Sequence, residues 1–121
     1  MRDRRRAEAA GRRAERLAAL WLGLKGYRVL DRNYRVRAGE IDIVARRGRT
    51  LCFVEVKQRA TRAAAIDPVT AASEERIIRA GEAWLAKHPR FVGEGFGLRY
   101  DVVLVVGRWR ITHQRDVFRG W

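Results

Sequence analysis

The chain has 121 residues, and 47% of them are apolar, which is enough for one core and predicts a single domain over residues 1–121. Its 27 Lys and Arg outnumber 14 Asp and Glu, and the formal charge of +13 predicts nucleic acid as the partner. No stretch approaches the roughly 18 consecutive apolar residues that a membrane-spanning helix needs, so we expect no membrane partner.

The N-terminal segment and the cysteine content indicate the compartment. Residues 1–7 form a basic lead-in that we expect to be flexible, and no apolar segment of the kind found in secretion signals follows it. Cys52 is the single cysteine, so it supports neither an internal disulfide nor a cysteine-based zinc site. We therefore expect a cytoplasmic protein.

The first predicted elements are a helix and a short strand. Apolar residues recur at three- and four-residue steps between Ala14 and Leu24, which predicts an amphipathic helix. Gly26 is placed to end it, because glycine is common directly after a helix. Tyr27 to Leu30 then predicts the first strand.

Two further strands form a predicted hairpin. Ile41 to Ala45 and Leu51 to Val56 are rich in β-branched and aromatic side chains. A two-residue turn, Gly48-Arg49, would place glycine at the first central position, as a type II′ turn requires, and would pair Arg47 with Thr50. This part of the sheet is expected to be antiparallel.

The second half of the chain predicts a helix and two strands. Asp67-Pro68 supplies an N-cap and a first-turn proline for a helix that runs to about Lys87. Leu98 to Val106 is expected to be a buried strand and Arg108 to His113 an edge strand. The order α-β-β-β-α-β-β predicts an α/β domain with a mixed sheet of about five strands flanked by helices.

The register of the hairpin brings charged side chains together. Counting back from the turn, Asp42 faces Glu55 and Glu40 faces Lys57. Asp42, Glu55 and Lys57 then share one face of the sheet, because side chains alternate along a strand. The apolar residues expected on the opposite face are Ile41, Ile43, Cys52, Val54 and Val56.

Two carboxylates opposite each other predict a cation site. Directly opposed residues have Cβ atoms roughly 4.5 to 5.5 Å apart, so Asp42 and Glu55 could chelate one hard divalent cation, Mg²⁺ or Mn²⁺. Such an ion leaves positions for a scissile phosphate and an attacking water, while Lys57 would offset charge in the transition state. A structural account instead needs Lys57, Arg37 or Arg59 to compensate the two carboxylates.

Two motifs in this hairpin resemble the signature of the PD-(D/E)XK nuclease superfamily: G-E-I-D from Gly39 and F-V-E-V-K from Phe53. Over nearly its whole length the chain resembles the bacterial UPF0102 (YraN) family. The segments that carry this resemblance are Gly11 to Glu15, Gly26-Tyr27, Arg32 to Arg35, Gly39 to Asp42, Val54 to Arg59 and Arg99 to Val103. The resemblance implies a restriction-endonuclease-like fold, similar to that of archaeal Holliday-junction resolvases, and leaves the biological substrate open.

The resemblance also implies roles for individual residues. It makes Asp42 and Glu55 metal ligands together with the main-chain carbonyl of Val56, makes Lys57 the catalytic lysine, and brings Glu15 to the site from the first helix. Glu15 also has a structural alternative, because an acid on an Arg-rich helix can pair with its neighbours there.

One position departs from the family pattern. The helix after the core motif often carries Lys or Gln a few residues beyond Val69-Thr70, where this chain has Ser73. Ser73 is shorter, and we expect it to position a phosphate or a water.

The expected nucleic-acid contacts are mostly arginines. Basic side chains of the N-terminal segment and the first helix are expected on phosphates. Tyr34 is the candidate for stacking on a base, whereas Trp21, Trp84 and Trp109 are expected in the core or at its margin. The residues assigned to nucleic-acid contacts at the site are Arg12, Arg35, Arg37, Arg59 and Ser73, and those assigned to the basic N-terminal surface are Arg2, Arg4, Arg5, Arg6, Arg13 and Arg16.

These observations lead to two hypotheses about function. The first is a Mg²⁺- or Mn²⁺-dependent endonuclease that hydrolyses phosphodiester bonds in DNA, which is favoured over RNA, including branched or damaged structures. The alternative is a non-catalytic nucleic-acid-binding module of the same fold. A homodimer would suit a nuclease that cuts two strands, and the edge strand or an apolar helix face could form its interface.

Overall fold

A five-stranded mixed sheet with helices packed on it organises the computed structural model, which describes residues 2–61, 71–93 and 95–117. This architecture confirms the predicted α/β fold and its α-β-β-β-α-β-β order. The elements are α1 (Arg2–Leu24), β1 (Arg28–Val36), β2 (Gly39–Arg47), β3 (Thr50–Arg59), α2 (Ala71–Lys87), a 3₁₀ helix (Pro89–Phe91), β4 (Gly97–Val106) and β5 (Arg110–Gln114).

The strands lie in the sheet in chain order, β1-β2-β3-β4-β5. β2 and β3 form the predicted antiparallel hairpin, β1 pairs antiparallel with β2, and β5 pairs antiparallel with β4. β3 and β4 are parallel, and α2 lies in the connection between them. A parallel pair needs such a crossover, because its second strand must start from the same end of the sheet as the first.

The two helices cover opposite faces of the sheet. Ala18 and Leu22 of α1 pack with Ile43, Cys52 and Val54. On the other face, α2 packs against alternate residues of the same strands. That second cluster contains Val44, Leu51, Phe53, Ile77, Ala80, Trp84 and Tyr100.

Several predicted boundaries differ from the observed ones. β1 extends to Val36, beyond the predicted end at Leu30, because it is an edge strand whose polar side chains are partly exposed and hide the apolar alternation. β5 starts at Arg110, since Arg108 and Trp109 belong to the turn before it. The predicted helix start at Asp67-Pro68 lies outside the described residues.

α1 extends further towards the N-terminus than predicted. It begins at Arg2, so the basic lead-in forms its first turns. The flexibility of that segment stays a prediction. Within the residues that the structure describes, no helix is long and apolar enough to cross a membrane.

Three apolar residues lie elsewhere than expected. Ile41 packs in the α2-side cluster and not with Ile43, and its partner in β1, Tyr34, packs against the same cluster. Tyr34 packs at the margin of the same cluster, which makes it a poor base-stacking candidate. Trp109 is 74% exposed, so the prediction that it lies in the core or at its margin was wrong.

A buried charge network ties β4 to β5. Asp101, only 1% exposed, accepts hydrogen bonds from Arg99, from His113 Nε2 at 2.7 Å and from the main-chain N–H of Asp116. Burial alone would raise the pKa of Asp101, but these hydrogen bonds lower it to about 2. Asp101 is therefore an ionised structural residue in the middle of β4.

Candidate metal centre

The predicted hairpin of β2 and β3 has the expected turn. Gly48 has a φ of +60°, as the first central residue of a type II′ turn requires, and Arg47 pairs with Thr50. The ladder runs from that pair to Ile43 and Val54 and ends there. The pairs predicted beyond it, Asp42–Glu55 and Glu40–Lys57, are not formed.

A hydrogen bond from main chain to side chain replaces the next step of the ladder. The N–H of Val56 donates to Asp42 Oδ2 at 2.8 Å. The two strands are therefore connected here through a carboxylate and not through a main-chain pair. A role for the Val56 carbonyl as a metal ligand stays a prediction.

A small cavity lies where β2 and β3 meet α2. Its volume is about 60 Å³, and a water needs only about 10 to 15 Å³ of such space. A cation with a few waters fits into this cavity, whereas a nucleic acid could insert no more than one phosphate group into it. The lining residues are Glu40, Asp42, Glu55, Ser73, Arg76 and Ile77, so Asp42 and Glu55 meet as their expected position on one face predicts.

Asp42 lies in a strongly negative environment. Burial raises the pKa of Asp42 to about 7, and the charges of Glu15, Glu55 and Glu40 act in the same direction. The hydrogen bond from Val56 opposes them without cancelling them. Neighbouring side chains thus leave this carboxylate undercompensated, and a bound cation would reverse the effect.

Two carboxylate oxygens in this environment are buried and have no hydrogen-bond partner in the part of the chain described here: Glu55 Oε2 and Glu15 Oε1. Burial also raises the pKa of Glu15, although nearby arginines and a hydrogen bond with Asn33 lower it. Leaving a buried acceptor unpaired costs roughly 1 to 3 kcal/mol, and more for a charged group. Such atoms indicate a missing partner, which an ion or a proton would provide.

The carboxylate oxygens of Asp42 and Glu55 suit a hydrated divalent cation. Mg²⁺ is usually bound through one or two carboxylates and keeps several waters. Over residues 2–61, 71–93 and 95–117, no three His, Cys, Asp or Glu side chains are grouped closely enough to hold a metal ion. Asp42 and Glu55 would therefore be its protein ligands, and water or a substrate phosphate would complete its coordination.

Lys57 and Glu15 lie near the cavity without lining it. Lys57 is half-buried and follows Glu55 by two residues in β3, which places both on the same face of the sheet. Glu15 comes from α1 and is close enough for its charge to raise the pKa of Asp42. The structure therefore brings Asp42 and Glu55 together in the cavity, and roles for Lys57 and Glu15 at the site stay predictions.

The predicted phosphate contacts are spread more widely. Arg35 forms an ion pair with Glu40 at 3.7 Å, both largely exposed, and so lies beside the cavity. Arg59 Nη1 donates to the carbonyl of Gln58 at 2.8 Å. Arg12 and Arg37 are exposed, and contact with nucleic acid stays a prediction for all four arginines.

Arg76 is the cavity residue that sequence reasoning missed. It follows Ser73 by three residues, so both lie on one side of α2. The close approach of α2 depends on Gly39, because a Cβ there would overlap the carbonyl oxygen of Arg76. The three-residue spacing from Ser73 is the signal that could have identified this basic residue.

Comparison with known proteins shows a family similarity that covers every residue lining the cavity. A family model described as "Uncharacterised protein family UPF0102" matches residues 14–105. The chain is 57% identical to a UPF0102 protein of Maricaulis maris over 109 residues, which cover 89% of this chain and 84% of the relative. A UPF0102 protein of Methylocella silvestris is 50% identical over 111 residues, 92% of this chain and 87% of its own. One of Agrobacterium fabrum is 45% identical over 115 residues, 95% and 93% of the two chains.

Proposed function

We propose that this chain, which belongs to the UPF0102 family, is a Mg²⁺- or Mn²⁺-dependent endonuclease that hydrolyses phosphodiester bonds in DNA, including branched or damaged structures. The description of the family assigns no activity. One observation carries this proposal. Asp42 and Glu55 meet in a cavity that fits a hydrated cation, where the pKa of Asp42 is about 7 and Glu55 Oε2 has no partner among the described residues.

The residues around the cavity suit hydrolysis of a phosphodiester. A bound divalent cation supplies Lewis-acid chemistry, polarising the phosphate and lowering the pKa of a water. The Lys57 ammonium would orient the attacking water and offset the negative charge that grows in the transition state. Ser73 and Arg76, on the α2 wall, would hold the scissile phosphate in place.

The charge of the molecule supports a polyanionic substrate. A formal charge of +13 draws nucleic acid to the surface and leaves the small cavity to receive a single phosphate. We place this activity in the cytoplasm, where a reduced cysteine is stable. Burial raises the pKa of Cys52 to about 12, which keeps its thiol protonated and unreactive.

A non-catalytic nucleic-acid-binding module is the second candidate. It is favoured by the lack of any group of three potential metal ligands among the described residues and by Ser73, which is shorter than the Lys or Gln expected there. In that case Asp42 and Glu55 would serve only the fold, and the basic surface would still bind DNA.

A cleavage panel with Lys57→Ala separates the two candidates. Linear, nicked, flapped and four-way DNA, and an RNA strand, are incubated with Mg²⁺ or Mn²⁺, and products are resolved on gels. We expect divalent-dependent cleavage by the wild type and a loss of about 10²- to 10³-fold in Lys57→Ala, because preorganised charges at a reacting centre contribute on that scale. DNA affinity should hardly change, since Lys57 is one of 27 basic residues.

The matched control is Lys25→Ala, which removes the same charge from an exposed lysine that lies over Trp21 just after α1. It should cleave as the wild type does. If the wild type cleaves none of these substrates with either metal but still binds DNA, the endonuclease proposal is wrong and the binding module takes its place.

A further inference from the structure

Among the residues that the structure describes, one large aromatic side chain, Trp109, is left on the surface. Trp109 is 74% exposed, whereas Trp84 is 1% exposed in the core. It lies in the turn between β4 and β5. A residue that would gain so much from burial is commonly found exposed where it contacts a partner.

The surroundings of Trp109 are basic. The Arg13 guanidinium carbon lies over the indole ring, 5.7 Å from its centroid, and Arg13 Nη2 donates to the carbonyl of Arg108 at 3.0 Å. α1 therefore holds the turn and its ring in place. Arg108 and Arg110, on either side of Trp109, are exposed, and among the described residues neither forms an ion pair with a carboxylate.

This turn lies at the same end of the sheet as the carboxylate cavity. The N–H of Gly107 donates to the carbonyl of Arg59 at 2.8 Å, so the turn adjoins the end of β3. Lys57 is two residues earlier in β3, or about 7 Å of strand. On α1, Arg13 contacts the turn, while Glu15 raises the pKa of Asp42 from two residues further on.

We propose that Trp109 is a stacking platform for an unpaired base of the nucleic acid whose backbone is held by Arg13, Arg108 and Arg110. These guanidinium groups have no carboxylate partner within residues 2–61, 71–93 and 95–117. An exposed indole beside them complements a ligand that contains both flat rings and anionic groups. The bases of a duplex already stack on each other, so a flap, bulge or single strand offers the ring that Trp109 can take. The inference rests on the proposed function for the identity of the polyanion, and it makes a strand with unpaired bases the preferred ligand.

The test measures binding without a metal. A fluorescein-labelled 12-nucleotide single strand, and a duplex of the same sequence, are titrated in EDTA at one salt concentration and followed by fluorescence anisotropy. Trp109→Ala should weaken binding of the single strand by about 5- to 100-fold, the scale measured for one stacked base, and binding of the duplex by less than about twofold. Trp109→Phe should keep most of the affinity, because a phenyl ring still stacks.

The matched control is Val92→Ala, which trims another exposed apolar side chain, 61% exposed, near the opposite end of β4. It should leave both affinities unchanged. Equal losses for single strand and duplex, or no loss for either, would overturn the proposal. The proposal would also be overturned if the wild type sedimented as a dimer and Trp109→Ala dissociated that dimer without changing DNA affinity. The surface around Trp109 would then join two copies of the chain. Absence of cleavage would remove the proposed function and leave this result standing.

Discussion

Asp42 has a structural role in the hairpin and is also a proposed metal ligand. Its Oδ2 accepts from the N–H of Val56 at 2.8 Å, which holds the carboxylate across the gap between β2 and β3. Burial raises its pKa to about 7, and three nearby glutamates add to that effect. Proton and cation therefore compete for one carboxylate near neutral pH.

Asp42→Asn should remove a pH-dependent loss of stability. Because the pKa of Asp42 rises from 3.8 unfolded to about 7 folded, its contribution is fully present below about pH 4 and is lost as the pH rises through 7. In EDTA, the Tm of the wild type should fall between pH 5 and pH 8 relative to that of Asp42→Asn. The exposed Glu82→Gln is the control and should follow the wild type. Parallel curves for wild type and Asp42→Asn would show that the carboxyl is not perturbed.

The residues of the site were predictable to the extent that spacing determines them. Asp42 and Glu55 follow from the turn and from strand alternation, and Ser73 follows from the family pattern. The burial of Glu15 Oε1 and Glu55 Oε2 was not predictable, because it depends on how α1 and α2 pack over the sheet. Arg76 was missed although its three-residue spacing from Ser73, on the same side of α2, indicates it.

The approach of α2 to β2 is the packing that forms the cavity. The first residue of β2, Gly39, is buried against the main chain of Arg76. Helix and strand come this close because glycine has no Cβ, and the same approach brings Ser73 to the wall opposite the carboxylates.

Gly39→Ala should therefore disturb both fold and site. The added methyl would overlap the Arg76 carbonyl, and overpacking of this kind costs roughly 1 to 3 kcal/mol or more. Urea unfolding measures the cost. Gly11→Ala is the control, because a Cβ there meets nothing within 4 Å and alanine favours the interior of α1. If both variants were equally stable, helix and strand would not be in contact at Gly39.

At the level of elements, the turn at Gly48 and the hydrophobic patterns predicted the order and most of the strands. The end of the β2–β3 ladder was not predictable, because a side-chain acceptor replaces the main-chain pairing at Asp42. The extension of β1 to Val36 was hidden by Arg32, Asn33 and Arg35, whose exposure at the sheet edge removes the apolar signal.

Over the whole molecule, positive charge surrounds a small negative site. The formal charge is +13, yet the cavity is lined by three acidic residues, Glu40, Asp42 and Glu55. The positive surface attracts a polyanion over a distance, while the acidic cavity repels it at close range unless a cation is bound. Metal binding should therefore strengthen the binding of nucleic acid only at the cavity and leave its contacts with the rest of the basic surface unchanged.

DNA binding should be steeply salt-dependent and largely independent of sequence. Each phosphate neutralised lowers the slope of log K against log salt by about 0.9. Reversing Arg4, Arg5 and Arg6 to Glu should weaken binding and make this slope shallower, as measured by anisotropy between about 50 and 200 mM salt. The control, Arg79→Glu, alters an arginine already paired with Glu75 at 2.8 Å. An affinity that does not change with salt would contradict the charge-based argument.

The most direct test of the metal centre is calorimetric titration of Mn²⁺ into the metal-free protein, because it requires no knowledge of the substrate. At pH 7 the wild type should bind one ion per chain and release protons, since binding must displace the proton from Asp42, whose pKa is about 7. Asp42→Asn combined with Glu55→Gln should abolish both signals. Saturable binding that survives in the double variant, or no binding by the wild type, would contradict the assignment of Asp42 and Glu55 as metal ligands.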